Sequence, residues 1–247
     1  MRDLKRIIDN FKSRHHYTTI QPLAALIDMD GTLYDSMQGH ADSWKQLCDE
    51  HGWPAERDEF FLYEGMTGAQ IITLMMERAV KRTPSPEECK EIYKRKAELF
   101  SALPPVPPMP GAQQLTALLK EVGIKRVLVT GSGQNSLLNR LDTDFPGIFS
   151  DDMKISSRDV THGKPHPEPY IRAMQLASVR PSQSIAIENA PLGVKSAATA
   201  GAFTVGVVTG PVPASKLEAA GAAIVYDSMP ECAEDFPNLL YNMLTCQ

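Results

Sequence analysis

Long apolar runs are missing from this sequence. No segment holds the ~18 or more consecutive apolar residues of a membrane span, so no membrane association is expected. Cysteine is scarce: the four present, at 48, 89, 232 and 246, form no C-x-x-C pair and no cluster with histidine. A zinc site or a disulfide framework is therefore not expected. Free thiols fit a reducing cytosol, and a cytoplasmic location is expected. Positive charge is not in excess either. The net charge of −5 gives no electrostatic reason to expect nucleic acid as a partner. The basic N-terminal stretch, with Arg2, Lys5, Arg6, Lys12 and Arg14, lacks the apolar core of a secretory signal. Internal repeats are absent, and compositional bias is confined to Pro104 to Pro110, a stiff segment that suits a linker.

What remains is an ordinary globular composition, 43% hydrophobic and 22% charged, in a chain of 247 residues. That length suits one core domain carrying a smaller insert. Short apolar runs recur at Leu23 to Ile27, Arg126 to Val129, Ser184 to Ile187 and Phe203 to Val208, with a weaker one at Ala223 to Val225. Runs of this kind suit parallel strands buried on both faces. Helical spacing fills the gaps at Gly111 to Glu121, Pro167 to Ala177 and Leu192 to Ala200. Strands alternating with helices predict an α/β fold, a Rossmann-like parallel sheet in a three-layer α/β/α core. Residues 37–105 break the alternation with helical periodicity alone. Thr67 and the Ser85-Pro86-Glu87-Glu88 box are helix starts there. The expected organisation is an N-terminal extension at 1–21, a core from 22–36 and 106–247, and an inserted α-helical cap at 37–105. The extension reads either as a weakly amphipathic helix with Ile7, Ile8 and Phe11 on one side or as a frayed end.

Chemistry concentrates at the strand ends. Asp28 and Asp30 close the first run, two positions apart and thus on one side of an extended chain. Two carboxylates in one small space repel, and a hard divalent cation such as Mg2+ resolves the conflict. Alone, Asp28 to Thr32 reads equally well as an Asp-Gly turn with a capping threonine. The second run ends Thr130-Gly131-Ser132, a hydroxyl and amides suited to phosphate oxygens. Lys164 stands in the proline-flanked segment Gly163 to Pro169. The next run ends Glu188-Asn189, two further oxygen ligands. Capping explains each motif separately but not their joint order.

Together, Asp28-Met29-Asp30-Gly31-Thr32, Thr130-Gly131-Ser132, Lys164-Pro165 and Glu188-Asn189 resemble the four motifs of the haloacid dehalogenase superfamily. The chain is most similar to its β-phosphoglucomutase-like branch, over about 23–227. The resemblance implies a magnesium-dependent phosphoryl-transfer enzyme in which Asp28 attacks phosphorus. Asp30 would serve as general acid and base, and Thr130 and Lys164 would hold the phosphoryl oxygens. It implies a metal set of Asp28, Asp30, Glu188 and Asn189, where Asn189 replaces a more usual acidic residue. His40, Glu64, Lys96, Gly131, Ser132 and Gln134 are expected at the substrate. His40 either packs beside Trp44 in the cap or steadies Asp30, and Glu64 is either an exposed loop residue or reaches the metal. Sugar phosphomutases of this branch need a cap arginine for the distal phosphate. Residues 65–70 contain none and Gly68 stands at its place, so hydrolysis by a monomer is favoured, with a small phosphorylated metabolite or pyrophosphate as substrate. Lys96 or Arg95 could replace the arginine and leave a mutase possible.

Overall fold

The structure, a computed structural model, describes residues 2–132 and 135–245. Its elements in chain order are α1 (Leu4–His15), β1 (Ala24–Ile27), α2 (Met37–Glu50), α3 (Gly68–Val80), α4 (Pro86–Ser101), α5 (Ala112–Glu121), β2 (Lys125–Val129), α6 (Asn135–Leu138), α7 (Leu141–Asp144), β3 (Lys154–Ile155), α8 (Glu168–Ala177), β4 (Ser184–Glu188), α9 (Pro191–Thr199), β5 (Phe203–Val207), α10 (Ala214–Ala220), β6 (Ile224–Tyr226) and α11 (Met229–Thr245). The six strands form one sheet in the order β3-β2-β1-β4-β5-β6, and every pairing is parallel.

The alternation of side chains along β1 splits the core in two. Ala25 and Ile27 join α1, α5 and α11 on one face of the sheet, while Ala24 and Leu26 meet Tyr170, Ala173 and Met174 of α8 and Ala197 of α9 on the other. This is the three-layer arrangement that the buried strands require. The strand order reverses between β1 and β4, where an open α/β sheet leaves a crevice at its carboxyl edge. Ile27 is in register with Ile187 of β4 and with Leu128 of β2. The next residues, Asp28, Glu188 and, one further, Thr130, are thereby delivered to that crevice side by side.

Two features escape sequence patterning. Strand β3 has only two residues, too few for a periodic signal. Helix α11 contains Pro237 and still runs unbroken, because Cys232, Ala233, Phe236, Leu239, Leu240 and Met243 bury one continuous stripe against the core.

Residues 37–105 carry α2, α3 and α4 around a hydrophobic cluster of their own that includes Trp44, Leu47, Phe60, Ile72 and Met75. Thr67 and Ser85 cap α3 and α4 with reciprocal side-chain bonds from Gln70 and Glu88. The N-terminal residues form α1, capped by Asp3 and buried through Leu4, Ile8 and Phe11. Phe11 meets Phe203 of β5 edge to face at 4.9 Å. Helix α1 thus belongs to the hydrophobic core of the sheet. Replacing the wholly buried Ile8 with alanine is expected to cost ~2–5 kcal/mol in urea unfolding. A loss below about 0.5 kcal/mol, the scale of a surface change, would contradict that assignment.

Candidate active site

The Lys164 ammonium lies between two carboxylates that the sheet brings together. Its Nζ donates to Asp28 Oδ1 at 2.5 Å, to Glu188 Oε1 at 2.6 Å and to the Val129 carbonyl at 3.1 Å. All three charged groups are nearly or fully shielded from solvent, Lys164 at 1% exposure, Asp28 at 4% and Glu188 at 0%. Burial disfavours the ammonium, but the Asp28 and Glu188 charges outweigh it and raise its pKa. The Tyr170 hydroxyl donates to the same Glu188 oxygen at 2.6 Å, and the amides of Asn189 and Ala190 donate to Oε2. Both Glu188 oxygens are thus engaged, Oε1 by Lys164 and Tyr170 and Oε2 by the two amides. Burial and the Glu188 charge push the Asp28 carboxyl up to about 8, against the opposing pull of Lys164.

Asp30 is held by a second network that reaches out of the cap. Its Oδ1 accepts from Ser36 at 2.8 Å and from His40 Nε2 at 2.8 Å, and His40 Nδ1 faces Lys96 Nζ at 2.6 Å. Lys96 donating to Nδ1 fixes the proton of a neutral imidazole on Nε2, where it meets Asp30. Burial favours neutral forms of both cap groups: it lowers the His40 pKa and brings Lys96 down to about 7. Burial also acts to raise Asp30, but His40 and Ser36 prevail and hold it below the ordinary carboxylate range. His40 also stacks on Phe100 at 4.3 Å.

Gly31 makes the turn between these aspartates and the cap. Its backbone is left-handed at φ 79°, and a Cβ there would run into Asn189 and Met37. Asn189 Oδ1 accepts from Thr32 at 3.3 Å. Thr130 Oγ1 lies 3.5 Å from Asp30 Oδ2 and accepts from the Ser132 amide at 3.0 Å.

A cavity of ≈ 40 Å³ separates the cap from the core, lined by Asp28, Asp30, Gly131 and Ser132 below and by His40, Glu64, Tyr93 and Lys96 above. Glu64 therefore faces the aspartates. Burial and the charges of Asp30 and Asp28 raise its pKa well above the ordinary carboxylate value. Of Arg95 and Lys96 on α4, only Lys96 lines the cavity. Arg95 is turned out to pair with Glu50 at 2.7 Å, which removes it as a substitute for the missing arginine. At Gly68 an added Cβ would collide with the Tyr93 ring, so that aromatic fills the space a longer side chain would need. Gln134 lies outside the described residues. The pairings of Ser36 with Asp30, Tyr170 with Glu188 and Tyr93 with Gly68 form only in three dimensions. Tyr170 sits in the same proline-rich motif as Lys164, which was the available clue.

The donor set suits a hard cation. Asp28, Asp30, Glu64 and Glu188 converge on one crevice against the ammonium groups of Lys96 and Lys164, and the available donors are oxygens. Asp28, Asp30, Glu188 and Asn189, all buried at this edge of the sheet, are the residues that would hold Mg2+.

The haloacid dehalogenase-like hydrolase profile matches residues 23–201. The chain is 30% identical over 188 residues to validoxylamine A 7'-phosphate phosphatase of Streptomyces hygroscopicus subsp. limoneus, covering 75% of this chain and 85% of that protein. It is 28% identical over 195 residues to β-phosphoglucomutase of Bacillus subtilis, covering 76% and 84%. A solved structure from Bacteroides vulgatus, named provisionally as a β-phosphoglucomutase, superposes with a TM-score of 0.93 at 39% identity, over 97% of this chain and 98% of that one.

The raised Asp28 pKa has a measurable consequence. Between the ordinary carboxylate range and about pH 8, the folded chain keeps a proton that the unfolded chain has released. Metal-free stability should fall as pH rises through that window. Saturating Mg2+ should therefore raise the melting temperature more at about pH 8 than at about pH 5. A shift that is equal at both, or larger in acid, would contradict the metal assignment.

Proposed function

The chain belongs to the haloacid dehalogenase-like hydrolases, and on that premise we propose that it is a Mg2+-dependent phosphohydrolase of small, highly charged substrates, with inorganic pyrophosphate favoured. The observation that carries this reading is Glu64. A cap carboxyl whose pKa burial and the aspartates raise, facing Asp28 and Asp30 across a small cavity, ionises only beside added positive charge, so it favours a phosphate that arrives with metal ions. A sugar hydroxyl in that position would not need a second anionic group opposite it.

The state of Asp30 favours the same choice. Held ionised by His40 and Ser36, it has no proton to give in the first step. A phosphate leaves without one far more readily than a sugar alkoxide does. In this reading an Asp28 oxygen bonds to phosphorus as the bond to the leaving phosphate breaks. Lys164 keeps Asp28 aligned, and Thr130 with the amides beyond it contacts the phosphoryl oxygens. Asp30 then takes a proton from water, whose oxygen displaces Asp28. When bound, Mg2+ supplies positive charge that offsets the phosphoryl oxygens against the surrounding carboxylates.

Relatives named as phosphatases and a phosphomutase of small phosphorylated sugars frame the competing reading. A mutase must hold a bisphosphate by both ends. No arginine lines the cavity among the described residues, and Tyr93 occupies the space beside Gly68. Only Lys96 is left to hold a distal phosphate.

Turnover with Mg2+ should favour pyrophosphate over hexose 1- and 6-phosphates by at least about tenfold in kcat/KM, about 1.4 kcal/mol of transition-state preference. Asp28→Asn should abolish phosphate release, and Glu64→Gln should erode the preference for pyrophosphate. Equal or better turnover of a sugar phosphate would overturn the substrate assignment. Glucose 6-phosphate formed from β-glucose 1-phosphate and a bisphosphate primer, without phosphate release, would establish the mutase instead.

A further inference from the structure

A second cluster of metal-binding side chains lies outside the cavity, on the segment that carries Lys164. His162, His166 and Glu168 each bring one ligand atom to within 4.8 Å of the others. The His162 and His166 rings are 4.7 Å apart at 33°. His162 Nδ1 is 3.2 Å from Glu168 Oε2, close to the separation of two ligands about one tetrahedral ion with bonds near ~2.0–2.1 Å. The scarcity of cysteine spoke against zinc, but two imidazoles and a carboxylate make a ligand set that needs no thiol.

The cluster is largely preorganised. Glu168 Oε1 accepts from the Thr161 amide at 3.0 Å and from Arg172 at 2.8 Å, while Oε2 accepts from the His162 amide at 2.8 Å. These bonds, the two backbone amides first, hold the Glu168 carboxyl at about 2, so it is ionised at neutral pH. The Arg172 cation bonds the other oxygen, so Oε2 is the one beside the histidines. His166 is anchored through its main chain, which donates to Gly163 at 3.0 Å and accepts from Ser196 at 2.6 Å. Both imidazoles are exposed and reachable from solvent.

We propose that His162, His166 and Glu168 form a site for one imidazole-preferring divalent ion of the Zn2+ class, distinct from the Mg2+ site. The ligands are Nδ1 of each ring and Oε2 of Glu168, with an open position filled by water. Each ring then carries its proton on Nε2, toward solvent. The ion replaces the His162–Glu168 hydrogen bond and the one that the Glu168 amide donates to His166 Nδ1 at 3.2 Å. Residues 162 and 166 lie on either side of Lys164. A bound ion clasps the two ends of the segment that presents the ammonium to Asp28, and gives the enzyme a point of metal control separate from the catalytic one.

The test is calorimetric titration of the full chain with Zn2+ at neutral pH, in saturating Mg2+ so that the oxygen-lined crevice is already occupied. One Zn2+ per chain is expected, with the His162 and His166 ring proton signals shifting together by NMR. His162→Ala, His166→Ala and Glu168→Gln should each weaken binding by at least about tenfold. His162→Ala should keep the wild-type melting temperature and its zinc-free phosphate release. Zn2+ bound equally well by the His162→Ala/His166→Ala double variant, or no Zn2+ taken up by the wild type at millimolar concentration, would overturn the proposal.

Discussion

The ion pair that Lys164 makes with Asp28 and Glu188 organises the rest of this molecule. A single ammonium shared by two carboxylates, all but sealed from water, is costly to assemble, since each charge loses its hydration. The arrangement is stable only because several elements fix it at once. Registered β1 and β4 place the two acids, the end of β2 adds the Val129 carbonyl, and Tyr170 from α8 closes the remaining side. Without the Lys164 segment the sheet edge would hold buried, unpaired anions. With it, Glu188 is paired, and Asp28 keeps its proton up to about pH 8, so a cation arriving at the crevice would compete with that proton.

The cap supplies the complementary half. Lys96, His40 and Asp30 form a line of hydrogen bonds from α4 through α2 to the end of β1. The cap thus contributes, through His40 and Ser36, to holding Asp30 below the ordinary carboxylate range. The cap also places Glu64 over the aspartates and seats Tyr93 against Gly68. A small cavity with acids at both ends results, and on the proposed function it favours compact anions carried with metal.

Much of this was legible in the sequence, for identifiable reasons. Buried parallel strands leave continuous apolar runs, so β1, β2, β4 and β5 stand out, and topology alone brings the residues that follow them to one edge of the sheet. Capping boxes at Thr67 and Ser85 mark the cap helices directly. Partnerships made only in three dimensions were less accessible. Nothing local ties Tyr170 to Glu188 or Tyr93 to Gly68. Arg95 and Lys96 are adjacent in sequence, yet about 100° apart around a helix, and packing alone decides that Lys96 faces the cavity while Arg95 finds Glu50. Pro237 signals a helix end that the buried stripe of α11 overrides.

The central claim is that phosphorus passes through Asp28. Rapid acid quenching after mixing the Mg2+-loaded enzyme with 32P-labelled pyrophosphate tests it most directly. The account predicts label on the protein within the first turnover, stable in acid, released by hydroxylamine as an acyl phosphate, and absent from Asp28→Asn. Full-speed phosphate release with no labelled protein at any quench time, or label that persists in Asp28→Asn, would contradict it.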